Sequence, residues 1–309
     1  MMDRITDVMD DRFVSEKLAA AREYETKNEI AVSDRPLFHV TPAVGWMNDP
    51  NGFSVYAGRV HLFYQYHPYS TVWGPMHWGH QVTKDMIKWE QLPAALAPDT
   101  EYDEDGCFSG TAIEDKGRHI LIYTSVMKNP DGEGVLQNQS IAVGDGIEYT
   151  KIGGNPVVNG DMLPYGLSRE DFRDPKVWQE DGIYYMVAGT VDEDKKGQVV
   201  LFSSQDLVNW SFESVLARND KDYGGVWECP DFFEIDGHKV LLVSPIEMAA
   251  KGYEFHNGNN SIYFIGDYDD NEKKFEVGEP FSLDYGTDFY APQTTLLPDG
   301  RRIMIAWMQ

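Results

Sequence analysis

A segment-and-hairpin pattern recurs five times along this 309-residue chain and constrains its fold more than any other feature. In each repeat a short strand-like segment is followed by a turn glycine and then by a run of β-forming residues. The five segments are Asp49–Phe53, Phe108–Ala112, Arg173–Val177, Glu228–Phe232 and Ala291–Thr295. The turn glycines, spaced 55 to 65 residues apart, are Gly58, Gly117, Gly182, Gly237 and Gly300.

Repeats of this length that each contain several strands are typical of a β-propeller, because one small twisted sheet buries its faces only against neighbouring sheets. Five repeats predict an all-β, five-bladed propeller. If each segment is the innermost strand of its blade, Asp49, Asp174 and Glu228 lie on one rim of the central channel. Taken singly, Asp49-Pro and Asp174-Pro are also typical turn sequences. Their recurrence in separate repeats favours a shared site.

The N-terminal part of the chain differs from the repeats. Residues 12–30 set Phe13, Leu18 and three consecutive alanines among charged side chains, a pattern that predicts a helix. The chain therefore divides into a helical appendage at 1–35 and a propeller at 36–309. The sequence leaves open whether the helix packs on the outer edge of a blade or forms part of a dimer contact.

Composition narrows the possible partners. The 51 acidic and 26 basic residues give a formal net charge of −25, which argues against nucleic acids and anionic membranes as partners. The N-terminus has no basic region followed by an apolar one, and no apolar run is long enough to span a bilayer, so we expect a cytoplasmic protein. In that compartment we expect Cys107 and Cys229 to be buried and not joined in a disulfide.

Six motifs together resemble glycoside hydrolase family 32, which contains the invertases and other β-fructofuranosidases. They occur in the family's order, and the resemblance runs from about Phe38 to the last residue. The motifs are Trp46–Gly52, Phe63–Gln65, Trp73–His80, Phe108–Gly110, Arg173–Pro175 and Trp227–Pro230. The overall resemblance is to bacterial sucrose or sucrose-6-phosphate hydrolases.

The resemblance implies a role for each of the three acids. Asp49 would be the nucleophile that attacks C2 of a fructosyl unit, and Glu228 the acid that protonates the leaving oxygen and later activates water. Asp174 would stabilise the transition state by holding ring hydroxyls. Arg173 is expected to partner Glu228 or the sugar. Retention of configuration requires the two reacting carboxyl groups to be about 5 Å apart.

The resemblance also implies which side chains hold the sugar, and it implies no cofactor. Flat rings suit the apolar faces of a sugar, and amides or hydroxyls suit its hydroxyl groups. The expected substrate-binding residues are Trp46, Met47, Asn48, Gln65, Trp73, Phe108, Ser109, Arg173 and Trp307.

Three histidines raise the question of a metal site, since histidine is a common zinc ligand. No acid or cysteine completes a recognisable ligand spacing with His67, His77 and His80, and the family's hydrolysis needs no metal. We expect them to be hydrogen-bonded framework residues near the mouth of the site, and we predict no metal.

One departure from the family concerns the last repeat. The chain stops at Gln309, after the second strand of that repeat, where the family completes its blade and adds a C-terminal β-sandwich. We therefore expect an incomplete fifth blade, with an unpaired edge that promotes aggregation.

Several alternative functions are compatible with the pattern. An arabinan- or xylan-cleaving propeller would also use three acids but would invert configuration. A fructosyltransferase would share the covalent intermediate, and a non-catalytic propeller could bind sugars with the same aromatic side chains. A protein-interaction propeller would not need these acids. The sequence does not separate sucrose, sucrose 6-phosphate and short fructo-oligosaccharides as substrates, and it does not define the oligomeric state.

Overall fold

The computed structural model describes residue 5 and residues 14–130 and 132–309. Antiparallel strands dominate these residues, and the first three sheets each contain four strands in chain order. The first sheet consists of β1 (Trp46–Tyr56), β2 (Arg59–His67), β3 (His77–Thr83) and β4 (Trp89–Leu96). The second consists of β5 (Gly106–Asp115), β6 (Arg118–Lys128), β7 (Val135–Gly144) and β8 (Tyr149–Lys151). The third consists of β9 (Arg173–Glu180), β10 (Ile183–Val191), β11 (Gly197–Ser204) and β12 (Trp210–Arg218).

The fourth sheet takes its outermost strand from further along the chain. It consists of β13 (Trp227–Ile235), β14 (His238–Pro245), β15 (Ile262–Gly266) and β18 (Phe281–Ser282). A separate two-stranded sheet, β16 (Tyr268–Asp269) and β17 (Lys274–Phe275), lies in the connection. The fifth repeat forms only β19 (Phe289–Leu296) and β20 (Arg302–Met308). The all-β, propeller-like prediction is confirmed. The described residues form four four-stranded sheets, so the count of five blades is not confirmed, and the fifth repeat contributes a single hairpin, as expected of an incomplete last blade.

The predicted hairpin turns are confirmed at all five turn glycines. Each of these glycines has a positive φ, from 72° at Gly58 to 87° at Gly300. In the first four hairpins the preceding residue also has a positive φ, between 48° and 51°. Two consecutive residues with positive φ form the type I′ turn, whose twist matches that of the flanking strands. The turn chemistry of the sequence thus sets the register of each inner hairpin.

The first strands of the repeats surround a central channel. Strand β1 contacts β5, β5 contacts β9, β9 contacts β13 and β13 contacts β19, while β19 packs back against β1. The middle strands fill the space between neighbouring sheets. In β6, Ile120 and Ile122 pack towards the third sheet, whereas Leu121 and Tyr123 pack towards the first. Strands buried on both faces need apolar residues at consecutive positions, which explains the continuous apolar runs of the repeats.

The predicted helix is α1, Glu16–Asn28. Residues 12 and 13 of the predicted range lie outside the described residues. The Ser15 hydroxyl caps the helix by accepting a hydrogen bond from the Leu18 N–H at 3.1 Å. Leu18 packs against Tyr64 and Tyr66, and the Arg22 guanidinium donates to the Ala94 carbonyl of β4 at 2.9 Å. The helix therefore packs on the outer edge of the first sheet, one of the two placements that the sequence leaves open. No helix in the described part of the chain is long and apolar enough to cross a membrane.

Candidate active site

A cavity of about 440 Å³ opens where the N-terminal parts of the inner strands meet. The three predicted catalytic acids line it together with eight of the nine predicted substrate-binding residues. Its lining consists of Trp46, Asn48, Asp49, Gln65, Trp73, Phe108, Ser109, Gln137, Asp171, Arg173, Asp174, Glu228, Asn259, Tyr290 and Trp307. Residues from all five repeats therefore converge on one site.

Local irregularities in the inner strands aim these side chains into the cavity. Each inner strand shifts register against its hairpin partner beside the cavity. Four of the shifts occur at a proline: Pro50, Pro175, Pro230 and Pro292. Proline has no N–H to donate to the ladder, so it is tolerated in a strand at a bulge. A bulge re-aims side chains, which allows the consecutive residues Arg173 and Asp174 both to reach the cavity.

Three of these strands also adopt a left-handed backbone next to the proline. The φ angles of Asp174, Cys229 and Ala291 are 63°, 47° and 50°. This region is uncommon for residues other than glycine, and it costs on the order of 1–3 kcal/mol per residue. Three strained residues in equivalent positions around one cavity indicate that the surrounding sheets hold this geometry in place.

Asp49 is held by a neutral hydroxyl. The Ser109 Oγ–H donates to Asp49 Oδ2 at 2.8 Å, and the Cys229 Sγ lies 3.9 Å from the same oxygen. Burial and the nearby Glu228 raise the pKa of Asp49 to about 6, while hydrogen bonds from Ser109 and Asn48 oppose the rise. Asp49 is therefore a carboxylate at neutral pH and takes up a proton in mildly acidic solution.

Asp174 is held by a threonine hydroxyl and by a backbone N–H. Its own N–H donates to Thr124 Oγ1 at 2.9 Å, and its Oδ2 accepts the Cys229 N–H at 3.0 Å. The Arg173 Nε lies 4.0 Å from that oxygen. Burial raises the pKa of Asp174, and Arg173 counteracts only part of the rise. These contacts fix the position of its carboxyl group in the cavity.

Glu228 is held by charged and phenolic donors. Arg173 donates to Glu228 Oε1 through Nε at 3.1 Å and Nη2 at 2.9 Å, which confirms one of the two partners expected for Arg173. The Tyr290 hydroxyl lies 2.5 Å from Glu228 Oε2 and 3.1 Å from the Ser244 carbonyl. Burial lowers the pKa of Arg173, but the surrounding carboxylates, Glu228 first among them, outweigh burial and raise the pKa of Arg173 above its usual value. Glu228 and Asp49 thus have different hydrogen-bond partners, a guanidinium and a phenol in the first case and a hydroxyl in the second.

Aromatic rings and amides form the remaining wall. Trp46 and Trp307 meet edge to face with ring centroids 6.1 Å apart, and Trp73 and Phe108 meet in the same way at 5.9 Å. Trp73 is 56% exposed, so its ring is available at the mouth of the cavity. Flat rings beside carboxylates are typical of carbohydrate sites.

The amides of this wall are held by their neighbours. The Trp46 Nε1–H donates to Asn48 Oδ1 at 2.8 Å. Gln65 donates to the Cys107 carbonyl at 3.0 Å.

Met47 is the predicted substrate-binding residue that does not line the cavity. Its side chain packs against the cluster around Tyr64, Tyr66 and Ala94 on the other side of β1. Side chains alternate between the faces of a strand, so a residue between two cavity-lining neighbours points away from them.

Four lining residues carry no prediction from the sequence: Gln137, Asp171, Asn259 and Tyr290. Tyr290 had a detectable signal. It precedes Ala291-Pro292 as Arg173 precedes Asp174-Pro175 and as Glu228 precedes Cys229-Pro230. Aligning the repeats on their prolines therefore places Tyr290 in the register of Glu228. The same alignment places Glu228 one position before the register shared by Asp49 and Asp174.

The histidines and cysteines have structural surroundings. His80 is buried, and its Nε2 lies 3.0 Å from His61 Nδ1. Among the residues that the structure describes, no group of three or more His, Cys, Asp and Glu side chains is placed to hold a metal ion. Cys107 and Cys229 are buried free thiols, as predicted.

Comparison with known proteins identifies the family. Residues 39–309 match the model of the glycosyl hydrolases family 32 N-terminal domain. The chain belongs to glycoside hydrolase family 32. A sucrose-6-phosphate hydrolase of Escherichia coli is 44% identical over 280 residues, which cover 88% of this chain and 57% of that protein. A raffinose invertase of Escherichia coli is 43% identical over 279 residues, again covering 88% and 57%.

Solved structures agree with this family 32 assignment. A β-fructofuranosidase mutant of Bombyx mori in complex with sucrose has a TM-score of 0.87 and 41% identity, covering 95% of this chain and 62% of that one. The chain thus spans less than two thirds of the length of the family 32 relatives that it matches.

Proposed function

We propose that this protein is a retaining glycosidase that releases terminal non-reducing β-D-fructofuranosyl units from sucrose or sucrose 6-phosphate. The observation that carries the proposal is the pair of carboxyl groups, Asp49 and Glu228, in one cavity but with different partners. A hydroxyl holds the first, whereas a guanidinium and a phenol hold the second. The names of the family 32 relatives, a sucrose-6-phosphate hydrolase and a raffinose invertase, support this substrate class.

The first half of the reaction breaks the glycosidic bond. Asp49 attacks C2 of the fructosyl unit, while Glu228 gives its proton to the departing glycosidic oxygen. The products of this half-reaction are glucose, or glucose 6-phosphate, and a fructosyl ester on Asp49. In the second half Glu228 removes a proton from water, which attacks C2 and releases fructose with retained configuration.

Tyr290 lets Glu228 change its protonation without losing a hydrogen bond. The Tyr290 hydroxyl lies within hydrogen-bond distance of both Glu228 Oε2 and the Ser244 carbonyl. When Glu228 is ionised, the phenol donates to the carboxylate. When Glu228 is protonated, its O–H donates to the phenolic oxygen and the phenol turns to Ser244. Burial and the neighbouring Glu228 raise the pKa of Tyr290, so the phenol keeps its own proton.

The other lining residues bind the sugar in this proposal. Asp174 holds ring hydroxyls of the fructosyl unit through hydrogen bonds that strengthen as positive charge develops on the ring. Trp46, Trp73, Phe108 and Trp307 provide the aromatic wall. Asn48, Gln65, Ser109 and Arg173 supply donors and acceptors, and Met47 supports the strand from behind.

We also propose that β19 and β20 are the inner half of a fifth blade. The contact of β19 with both β13 and β1 supports this proposal, since the innermost strand of a fifth blade would occupy that place. The division into a helical appendage at 1–35 and a propeller at 36–309 is part of the same proposal. A cytoplasmic location stays a prediction from the sequence.

A proton NMR time course with sucrose tests the function. The protein should produce free fructose and glucose, and Asp49→Asn should abolish turnover, because the amide has no charge with which to attack C2. Asp299→Asn is the matched control, since it makes the same substitution at a surface aspartate that pairs with Arg301. Undiminished turnover by Asp49→Asn would refute the assignment of the nucleophile, and no cleavage by the unaltered protein would refute the function.

A further inference from the structure

Trp73 is the most exposed of the aromatic residues that line the cavity, and it lies on a loop rather than on a strand. Residues 68–76 form this loop, which connects β2 to β3. A loop has no strand ladder to fix its path and opens more readily than the sheets beside it. The position of the Trp73 ring at the mouth therefore depends on the contacts that hold the rest of the loop.

Two histidines hold the loop on either side of Trp73. His67, the last residue of β2, has its Nδ1 3.0 Å from the Val72 carbonyl oxygen. His77, the first residue of β3, has its Nδ1 2.9 Å from the Pro75 carbonyl oxygen. A carbonyl oxygen can only accept, so Nδ1 of each ring carries a proton and donates it. This pair, which we call the histidine clamp, fixes the backbone one residue before Trp73 and two residues after it.

The residue that follows Trp73 also packs on the clamp. A Cβ atom added at Gly74 would lie 2.4 Å from both Cε1 and Nδ1 of His67. Non-bonded carbon atoms prefer about 3.5–4.0 Å, so only glycine allows the backbone to approach the ring this closely. The His67 ring thus supports the loop through a hydrogen bond and through direct backbone packing.

A pair of tyrosines connects the clamp to the N-terminal helix. The Tyr69 ring meets His67 and His77 edge to face, with centroid separations of 6.1 Å and 5.9 Å. Tyr24 of α1 meets Tyr69 in the same way at 5.1 Å. Edge-to-face contacts at these separations are favourable beyond the area that they bury. Helix α1 therefore reaches the loop of Trp73, although it packs on the outer edge of the first sheet.

Building on the function proposed above, we propose that the histidine clamp and the Tyr24–Tyr69 pair are positioning elements that hold Trp73 against the sugar. The three acids lie on the inner strands, whereas these four side chains contact the loop and its supports. They act on binding, which is shared by the ground state and the transition state. Their loss should raise KM and change kcat little.

The test measures kcat and KM for sucrose. His67→Ala and Tyr69→Ala should each raise KM about fivefold, because one removes a hydrogen bond of the loop and the other an aromatic contact. His67→Asn, whose amide N–H can replace the Nδ1–H, and Tyr69→Phe, which keeps the ring, should recover most of this loss. His238→Ala is the matched control and should leave KM unchanged, since His238 is exposed beside the Gly237 turn, away from the cavity.

Double variants distinguish positioning from a general loss of stability. If the clamp acts through Trp73, His67→Ala should not raise KM further in a protein that already carries Trp73→Ala. Tyr24→Ala should behave in the same way, which tests the reach of helix α1. Additive effects in the double variants would overturn the proposal, as would single variants whose KM is unchanged. A Trp73→Ala variant with an unaltered KM would also overturn it, because the loop would then have nothing to position.

The outcomes separate this proposal from the proposed function. If the unaltered protein cleaves sucrose and the variants match it, the positioning role is refuted and the glycosidase function stands. If the unaltered protein cleaves no sucrose, the function is refuted, and calorimetric titration with sucrose then tests the positioning role. In that titration His67→Ala and Tyr69→Ala should weaken binding about fivefold. A Kd equal to that of the unaltered protein, or no binding by any of the proteins, would overturn the positioning role.

Discussion

Replacing Ser109 with alanine should move the acidic limb of the pH profile towards neutral pH. The Ser109 hydroxyl donates to Asp49 at 2.8 Å and stabilises the ionised form of a carboxyl group whose pKa burial has already raised to about 6. A hydrogen bond to a charged group contributes about 1.5–3 kcal/mol, and one pKa unit corresponds to about 1.4 kcal/mol. Because water can replace part of this hydrogen bond, we expect the pKa of Asp49 to rise by about one further pH unit in the variant.

The rate consequence follows from the fraction of Asp49 that is ionised. At pH 5, which is below the pKa of Asp49 in both proteins, a pKa that is higher by one unit lowers the ionised fraction of Asp49 and kcat/KM by about tenfold. At pH 8 the carboxylate form predominates in both proteins, so this loss should disappear. The assay is kcat/KM for sucrose between pH 4.5 and 8. Ser125→Ala is the matched control, since Ser125 is on the same sheet but bonds to Ser140 at 2.8 Å. A uniform loss with an unmoved acidic limb would refute the reasoning.

Three further variants test other features of the structure. Lys151→Met should destabilise the fold by about 3–5 kcal/mol in urea unfolding, because it leaves two little-exposed aspartates without their cation; an unchanged midpoint would contradict this. Tyr290→Phe should lower kcat about tenfold with little change in KM, since the phenol bonds to the carboxyl group of Glu228 that transfers protons. A change in KM alone would argue against this role of Tyr290.

The third is His119→Gln. Burial holds the pKa of His119 well below its usual value, so the unfolded chain binds this proton below about pH 6.5 while the native chain does not. Stability from this group is therefore lost as pH falls below 6.5. Between pH 7.5 and pH 5 the free energy of unfolding of the variant should fall by about 2 kcal/mol less than that of the unaltered protein. Equal falls in the two proteins would contradict the assignment.

The fold was predictable wherever the sequence determines structure locally. Glycines such as Gly58 and Gly300 specify turns that require a positive φ, and they fixed the hairpins. The continuous apolar run of β6 indicated a strand that is buried on both faces. The outermost strand of the fourth sheet was not predictable in this way, because it comes from a distant segment, β18.

From the repeat alone the three acids of the site were predictable, whereas Gln65, Trp73 and Trp307 lie outside the inner strands and were predicted from the family resemblance. Asp49, Asp174 and Glu228 belong to the repeat itself, so the repeat brings them to one rim. Gln137 and Asn259 reach the cavity from outside the inner strands, and the paths of these segments depend on packing that no local pattern records. Aligning the repeats on their prolines would have found Tyr290.

The identity of the anomer formed from sucrose in the presence of methanol tests the central claim most directly. If Asp49 forms a covalent fructosyl intermediate, methanol will intercept it and yield methyl β-D-fructofuranoside, which does not equilibrate between anomers in neutral solution. NMR spectroscopy of the products distinguishes the two anomers. The β-anomer, formed by the unaltered protein and absent with Asp49→Asn, is the predicted result. The α-anomer would contradict the account, because it would mean a single displacement with inversion and no fructosyl ester on Asp49.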